Sequence, residues 1–512
     1  MKISSNWLRE LTGTDKKPHE IADILTSLGL EVEGMKEVKP SEVDLDRVVT
    51  AHVVACAPIP DTDHLSATMV DTGDGQVRSV VCGAPNIALG QKVLVALPGA
   101  RVFSKDGQLF TIGERKVRGV MSSGMVCAED ELGIGRDHSG IMVLPEDTPL
   151  GVSAAAFLKL SGDVVFEIGL TPNRADATSH VGVARDFLAW VRAHEREDAG
   201  LLRPPVADLT VPISAEAGSI IRVEVADQAA CPRYAGVTIR GVRVGESPDW
   251  LKDRLIALGQ RPINSIVDIT NYIRLESGQP LHAFDASKIG GAVVRVRTLP
   301  EGTLFTGLDG VERSLSSEDL VVCDGNDYPM CMAGVFGGSH TGVGFETTDV
   351  FLESAVFDSR WIRRSMLRHG LRTDAAWCFE KGVDLTGTTD ALCRAVQMVL
   401  DISGGSISSP VWDNYPAPGA PVRIEVVFDG VRALSGVDFS AQTILRILRA
   451  LEIQVEAASA DRCVVLAPSN KPDVLRPADV VEEILRVYGL DNIPVPPSGK
   501  FSPEEKQRPD LE

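Results

Sequence analysis

Between Val43 and Leu144 the sequence breaks into short runs of β-formers, and this texture constrains the fold more than any other feature. The runs are residues 48–54, 67–70, 76–81, 92–96 and 110–112, separated by turn sequences such as Thr72-Gly73-Asp74-Gly75 and Lys105-Asp106-Gly107. Several short strands with Gly/Asp turns within about a hundred residues predict a small barrel or sandwich.

The flanking sequence is of another kind. Ile21, Ile24, Leu25 and Leu28 fall on one helical face that stops at Gly29. Residues 173–192 begin polar and continue as an apolar-periodic helix. The adjacent prolines within residues 202–209 mark a linker, and residues 213–404 mix strands with helices, among them a capped helix start at Pro248-Asp249-Trp250 and a basic helix over 359–371. After Pro416-Ala417-Pro418-Gly419 a strand (422–427), a helix (441–451), a second strand (463–467) and a helix from Pro477 make a compact α+β module. A chain of 512 residues exceeds one hydrophobic core, so three to five domains are expected.

Composition narrows the function classes. No run of eighteen uncharged apolar residues occurs, so a membrane span is not expected. The nine cysteines have no paired CxxC spacing and read as free thiols in a reducing, cytoplasmic setting. A formal charge of −20 argues against a protein that coats nucleic acid non-specifically, but not against local RNA contacts.

Polar chemistry is densest over residues 261–285, RPINSIVDITNYIRLESGQPLHAFD. There His282 emerges from a loop bounded by Gly278 and Pro280. Its neighbours Asn264, Asp268, Thr270 and Gln279 are equally readable as caps or core polar groups. A second loop, Met332-Ala333-Gly334-Val335-Phe336-Gly337-Gly338, lacks the Lys-Ser/Thr of a phosphate loop and reads either as a ligand approach or as a tight turn cluster. Glu353 is the lone acid in an apolar strand-like run and must be paired or functional. Asp479, Glu482 and Glu483 share one side of a helix beginning near Pro477, with Asp473 just before it. Four such oxygens suit Mg²⁺, or are a solvated acidic helix start. Arg360, Arg363, Arg364, Arg368 and Arg372 with His369 form a local basic patch, either solvated or in contact with RNA phosphate. No Gly-x-Ser-x-Gly elbow or metalloprotease helix is present.

These blocks carry a resemblance. MKISSNWLRE, VVCGAPN, GERKVRGVMSSGMVCAEDELG, TPNRADATSHVGVARD, residues 261–285, residues 333–338, LRHGLRTDAAWCFEKGVD and VVEEILRVYGLDNIP occur in the order found in bacterial phenylalanyl-tRNA synthetase β subunits, over essentially the whole chain. The resemblance implies a multidomain α+β protein. Its expected parts are a split N-terminal domain (1–40 with 151–199) holding an OB-fold tRNA-binding-type barrel (41–150), a mixed α/β B3/B4 editing domain (210–409), a B5 domain (421–495), and a truncated connection (496–512). Synthetase-like and anticodon-binding domains of the family are expected to be missing.

The implied role is that of a β subunit in an α2β2 heterotetramer in the cytoplasm. The α subunit would charge tRNA(Phe) using ATP, and this chain would hydrolyse mischarged Tyr-tRNA(Phe). The editing pocket implied by motif is Thr270, Pro280, His282, Ala333 and Glu353: Thr270 and His282 at the ribose, Pro280 in the wall, Ala333 through its backbone, and Glu353 reading the tyrosyl hydroxyl. Asp473, Asp479, Glu482 and Glu483 match the family's Mg²⁺ cluster, completed near α. No cofactor other than Mg²⁺ is implied in this chain. The sequence departs from common family forms at Ser265, Asn470, Lys471 and Leu490. Alternatives are a β subunit whose editing has decayed to a scaffold, and a stand-alone RNA-binding module.

Overall fold

The computed structural model describes residues 1–39, 41–135, 137–158, 162–201 and 220–494, and in it the chain divides into two units, 37–164 and 1–36 with 165–512. The linker at 202–209 and the connection at 496–512 lie outside the described residues.

In the unit spanning 37–164, strands Val48–Pro58, Ser66–Asp71, Val77–Cys82, Lys92–Ala96, Met125–Val126 and Val143–Leu144 form one antiparallel, nearly closed sheet. Lys92–Ala96 explains how it packs. Val93 and Val95 enter one apolar cluster, and Leu94 and Ala96 enter another on the opposite face, so strand alternation buries both sides. A bulge between Val53 and Ala55 supplies local bend in the longest strand. Gly73, with φ +76°, is required by its turn: a Cβ there would lie 2.9 Å from the backbone at Leu150 and Gly151.

In the other unit, helix Pro18–Ser27 buries Ile21, Ile24 and Leu25 as its periodicity predicts, and Leu28 is buried just beyond it. Strands Lys2–Ser4, Asp163–Gly169 and Glu31–Val38 form a small sheet beside helices Ser5–Thr12 and His180–His194. The mixed region resolves into two five-stranded sheets. One orders Arg222–Val225, Val293–Thr298, Leu320–Asp324, Pro329–Met332 and Phe336–Gly337. The other is built on Leu281–Asp285, Asp349–Val356 and Arg233–Arg240, with Ser406–Ile407 and Trp412–Asn414 both pairing with Arg233–Arg240. Tyr234, Phe284, Phe351 and Ala355 of the second share a core with Val294, Val296, Val322 and Met332 of the first. The opposite face meets helix Gly387–Ser403, where Ser354 Oγ donates to the Thr388 carbonyl at 2.8 Å. No described helix is long and apolar enough to cross a membrane.

Two local expectations change. Helix Asp249–Ala257 has Pro248 at its N-cap with no side-chain hydrogen bond, so the fixed φ of proline, not a capping oxygen, sets its start. The C-terminal module also contains helix Phe428–Ser435 and strand Gln454–Ala458 beyond the elements read from sequence. Phe428 and Val431 bury one side of that short helix, whose eight residues offer too little periodicity to stand out.

Candidate active site

The block 261–285 folds as cap, helix, turn and strand. Asn264 accepts from the Val267 N–H and caps helix Ser265–Ser277, and Gly278, with φ +81°, ends it. Gln279 then donates to the carbonyls of Pro280 (3.1 Å) and Ala355 (2.8 Å), which ties the turn to the strand carrying Glu353. Strand Leu281–Asp285 follows, and its register sets His282 directly opposite Glu353. Directly opposed residues have Cβ atoms about 5 Å apart on one face. That face looks toward the other sheet. A Cβ on Gly337 would lie 3.0 Å from His282 Cε1 and 2.9 Å from Leu308 Cδ1, so glycine there makes room for the imidazole.

Glu353 is almost fully buried, and its Oε2 accepts a 2.6 Å hydrogen bond from the Tyr234 hydroxyl. Burial pushes its carboxyl up to about 7, the phenol donor offsetting part of the shift. His282 is partly shielded, stacked edge-on against Phe284 at 4.5 Å. Loss of solvation holds its imidazole down at about 4. Neither of its ring nitrogens has a hydrogen-bond partner among the described residues. Near neutral pH the pair is therefore a neutral imidazole beside a carboxyl poised between its two forms.

The other three predicted residues lie on the preceding helix, the turn and the glycine loop. Thr270 is on helix Ser265–Ser277, and its hydroxyl donates to Val267 O at 2.7 Å within its own helix. Pro280 is in the turn leading to His282. Ala333 is buried, and its N–H already donates to Leu320 O at 3.0 Å, so any backbone contact there must use the carbonyl. Of the five, only His282 and Glu353 are paired in register. Tyr234 is the member that sequence reasoning missed, while Gly337 belongs to the glycine loop read as a ligand approach or a tight turn cluster. Tyr234 is 119 residues from Glu353, and only period-2 placement with Gly236 in a buried strand hinted at its side. Thr373 was also missed: it caps helix Asp374–Lys381 and donates to Val335 O at 2.8 Å, fastening that helix to the glycine loop.

The two thiols near this pair are not activated. The thiols of Cys231 and Cys331 are raised well above the ordinary value, by burial and then by Glu353, which makes them poor thiolates.

The four predicted Mg²⁺ residues have distinct surroundings. Asp479, Glu482 and Glu483 do share helix Pro477–Tyr488, but they do different things. Asp479 accepts from the N–H groups of Leu475 (3.0 Å) and Arg476 (2.8 Å) at the helix start. Glu482 is exposed. Glu483 is buried, with Lys471 at 2.9 Å and Arg486 at 2.6 Å. Burial raises its carboxyl, but these cations outweigh that and hold it at about 2. Asp473 is a raised carboxyl, first through burial and then through Glu483 and Asp176, with Asn173 Nδ2 at 3.4 Å. Among the described residues no group of three or more His, Cys, Asp or Glu is arranged to hold a metal. Within this chain Lys471 and Arg486 already neutralise Glu483.

The five arginines of the basic patch are exposed, and four of them make ion pairs within the chain. Arg368 and His369 bond the fully buried Asp319 at 2.6 and 2.7 Å, Arg360 pairs with Asp358, and Arg364 approaches Glu318. Arg364, Arg368 and His369 tie helix Ser359–His369 to Glu318 and Asp319, just ahead of strand Leu320–Asp324.

Three family models match the chain: a putative tRNA binding domain over 48–153, a B3/4 domain over 230–404, and a tRNA synthetase B5 domain over 424–490. The candidate pair lies within the B3/4 match. Together these modules define a protein of the aminoacyl-tRNA synthetase class. Over 98% of its length the chain is 47% identical to the phenylalanine–tRNA ligase β subunit of Bacteroides fragilis strain YCH46. The corresponding subunits of Porphyromonas gingivalis strain W83 (45% identity over 96% of this chain) and Salinibacter ruber (41% over 100%) are similar too. The chain belongs to the phenylalanine–tRNA ligase β-subunit family, and it spans about 60% of the length of these relatives, covering 60%, 59% and 62% respectively. Among solved structures, an N-terminal fragment of the Pyrococcus horikoshii β subunit shares 18% identity at a TM-score of 0.34, covering 64% of this chain and 87% of that one; this likeness is too weak to bear on the fold.

Proposed function

We propose that this chain works with a phenylalanine–tRNA ligase α subunit in an α2β2 assembly in the cytoplasm, and that it hydrolyses tRNA(Phe) wrongly loaded with tyrosine. Charging itself, with its ATP, belongs to α in this reading. The observation that carries the proposal is the buried Glu353 facing His282 across paired strands. A pocket built for a phenyl ring discriminates poorly against one added hydroxyl, so a second site must read that hydroxyl. A buried acceptor does so: tyrosine satisfies it, whereas phenylalanine leaves it unpaired.

The remaining chemistry is supplied by position. The nearby thiols of Cys231 and Cys331 are held protonated by burial, and water attacks the ester, releasing tyrosine and the free ribose hydroxyl. His282, neutral and with both nitrogens available, orients the ribose or the water. The test is deacylation of Tyr-tRNA(Phe) and Phe-tRNA(Phe) by the complete assembly. Rapid, selective loss of the tyrosyl ester supports the proposal. Equal, slow decay of both esters would leave the chain a tRNA-handling scaffold.

A further inference from the structure

We propose that Tyr234 is a specificity-determining positioning residue: its phenol holds Glu353 Oε2 and leaves Oε1 as the acceptor offered to an incoming aryl hydroxyl. This deepens the editing reading and rests on it. The geometry is specific. Tyr234 is fully buried on strand Arg233–Arg240, two residues from Gly236, which is the register partner of Glu353. A Cβ on Gly236 would collide with the Phe351 ring, so glycine keeps the strand surface flat where Tyr234 reaches diagonally to Glu353. Its hydroxyl donates to Oε2 at 2.6 Å. Oε1 has no hydrogen-bond partner among the described residues.

A carboxylate has lone pairs for more than one donor, and a donor fixed on one oxygen orients the other. The fixed donor is itself a phenol, the same group the site is proposed to read. Tyr234 therefore limits the carboxylate to one open acceptor and keeps it from swinging into the apolar core. The other titratable groups facing Glu353 are His282 on the paired strand and the thiols of Cys231 and Cys331. The imidazole is neutral near pH 7 and both thiols are raised well above their ordinary value, so none competes for that proton. Because the phenol bond favours the ionised carboxyl, removing it moves Glu353 titration upward.

The experiment is Tyr234→Phe in the complete α2β2 assembly, which keeps the ring in the core. The expected result has two parts. Tyr-tRNA(Phe) hydrolysis falls at least tenfold in kcat/KM at pH 7, and the pH midpoint of that activity moves upward, so part of the loss is recovered at higher pH. In parallel, the infrared carboxylic-acid band of Glu353, assigned by its disappearance in Glu353→Gln, titrates at higher pH in Tyr234→Phe. An unchanged band midpoint overturns the proposal, whatever happens to thermal stability. If the band moves but neither Glu353→Gln nor His282→Ala affects deacylation, the editing reading fails while the Tyr234–Glu353 coupling stands. A shifted band with unaltered discrimination between tyrosyl and phenylalanyl esters overturns the specificity role.

Discussion

His282 and Glu353 face one another across antiparallel strands Leu281–Asp285 and Asp349–Val356, yet their ionisation is displaced in opposite senses, the imidazole down to about 4 and the carboxyl up to about 7. Burial is the main cause of both shifts, because it penalises whichever form is charged. The pair consequently presents a neutral face to a ligand in mildly acidic solution and gains a negative acceptor as pH rises through 7.

His282→Ala or Glu353→Ala in the complete assembly is expected to spare phenylalanine charging and to slow Tyr-tRNA(Phe) hydrolysis by about ten- to a hundredfold. Separate charging and deacylation assays check this. Parental deacylation rates in both variants would remove the pair from the site.

Glu353 also gives a signed effect on stability. Its folded value of about 7 lies above the ordinary 4.5, so the folded chain binds a proton that the unfolded chain has released. Stability from this group falls as pH rises from 4.5 through 7, by about 3 kcal/mol in total. His282 has the opposite slope: its lowered folded value costs stability as pH falls from 6.5 toward 4. Thermal unfolding of Glu353→Gln between pH 5 and 8 should lose the first slope and keep the second. Identical pH profiles for variant and parent would contradict the raised carboxyl.

Gly337→Ala should displace His282 without unfolding the protein. The new methyl meets His282 Cε1 at 3.0 Å and Leu308 Cδ1 at 2.9 Å, and Leu308 is 58% exposed and free to swing away. Deacylation is expected to drop on the order of tenfold to a hundredfold, with stability changed by less than about 1 kcal/mol. Gly334→Ala is the contrasting control. There φ is +67° and the methyl would lie 2.8–2.9 Å from Phe379, Ile362 and Phe357, so a loss of about 2 kcal/mol or more is expected by chemical denaturation.

Lys471→Met tests the buried charge network. Arg174, Lys471 and Arg486 interleave with Asp176, Asp186 and Glu483, three charges of each sign, with all six side chains at most 8% exposed. Removing one cation leaves Glu483 and Asp176 undercompensated, for an expected loss of about 3–5 kcal/mol. A melting temperature within a degree of the parent would show that the network is not held as described.

Much was legible in the sequence because it depends on local order. Helix Pro18–Ser27 follows from its apolar spacing, the strands of the barrel-like sheet from their β-formers and turns, and the cap at Asn264 and stop at Gly278 from residue type alone. Glu353 could be singled out because an acid within an apolar run must find a partner. Which partner could not be read, since Tyr234 meets it only through strand pairing across 119 residues. The acidic cluster shows the same limit from the other side. Spacing along the helix correctly put Asp479, Glu482 and Glu483 on neighbouring turns, but only the packing against Lys471 and Arg486 decided that Glu483 is a buried ion-pair member. Periodicity determines which face a side chain takes; the charges and apolar groups packed against that face determine its chemistry.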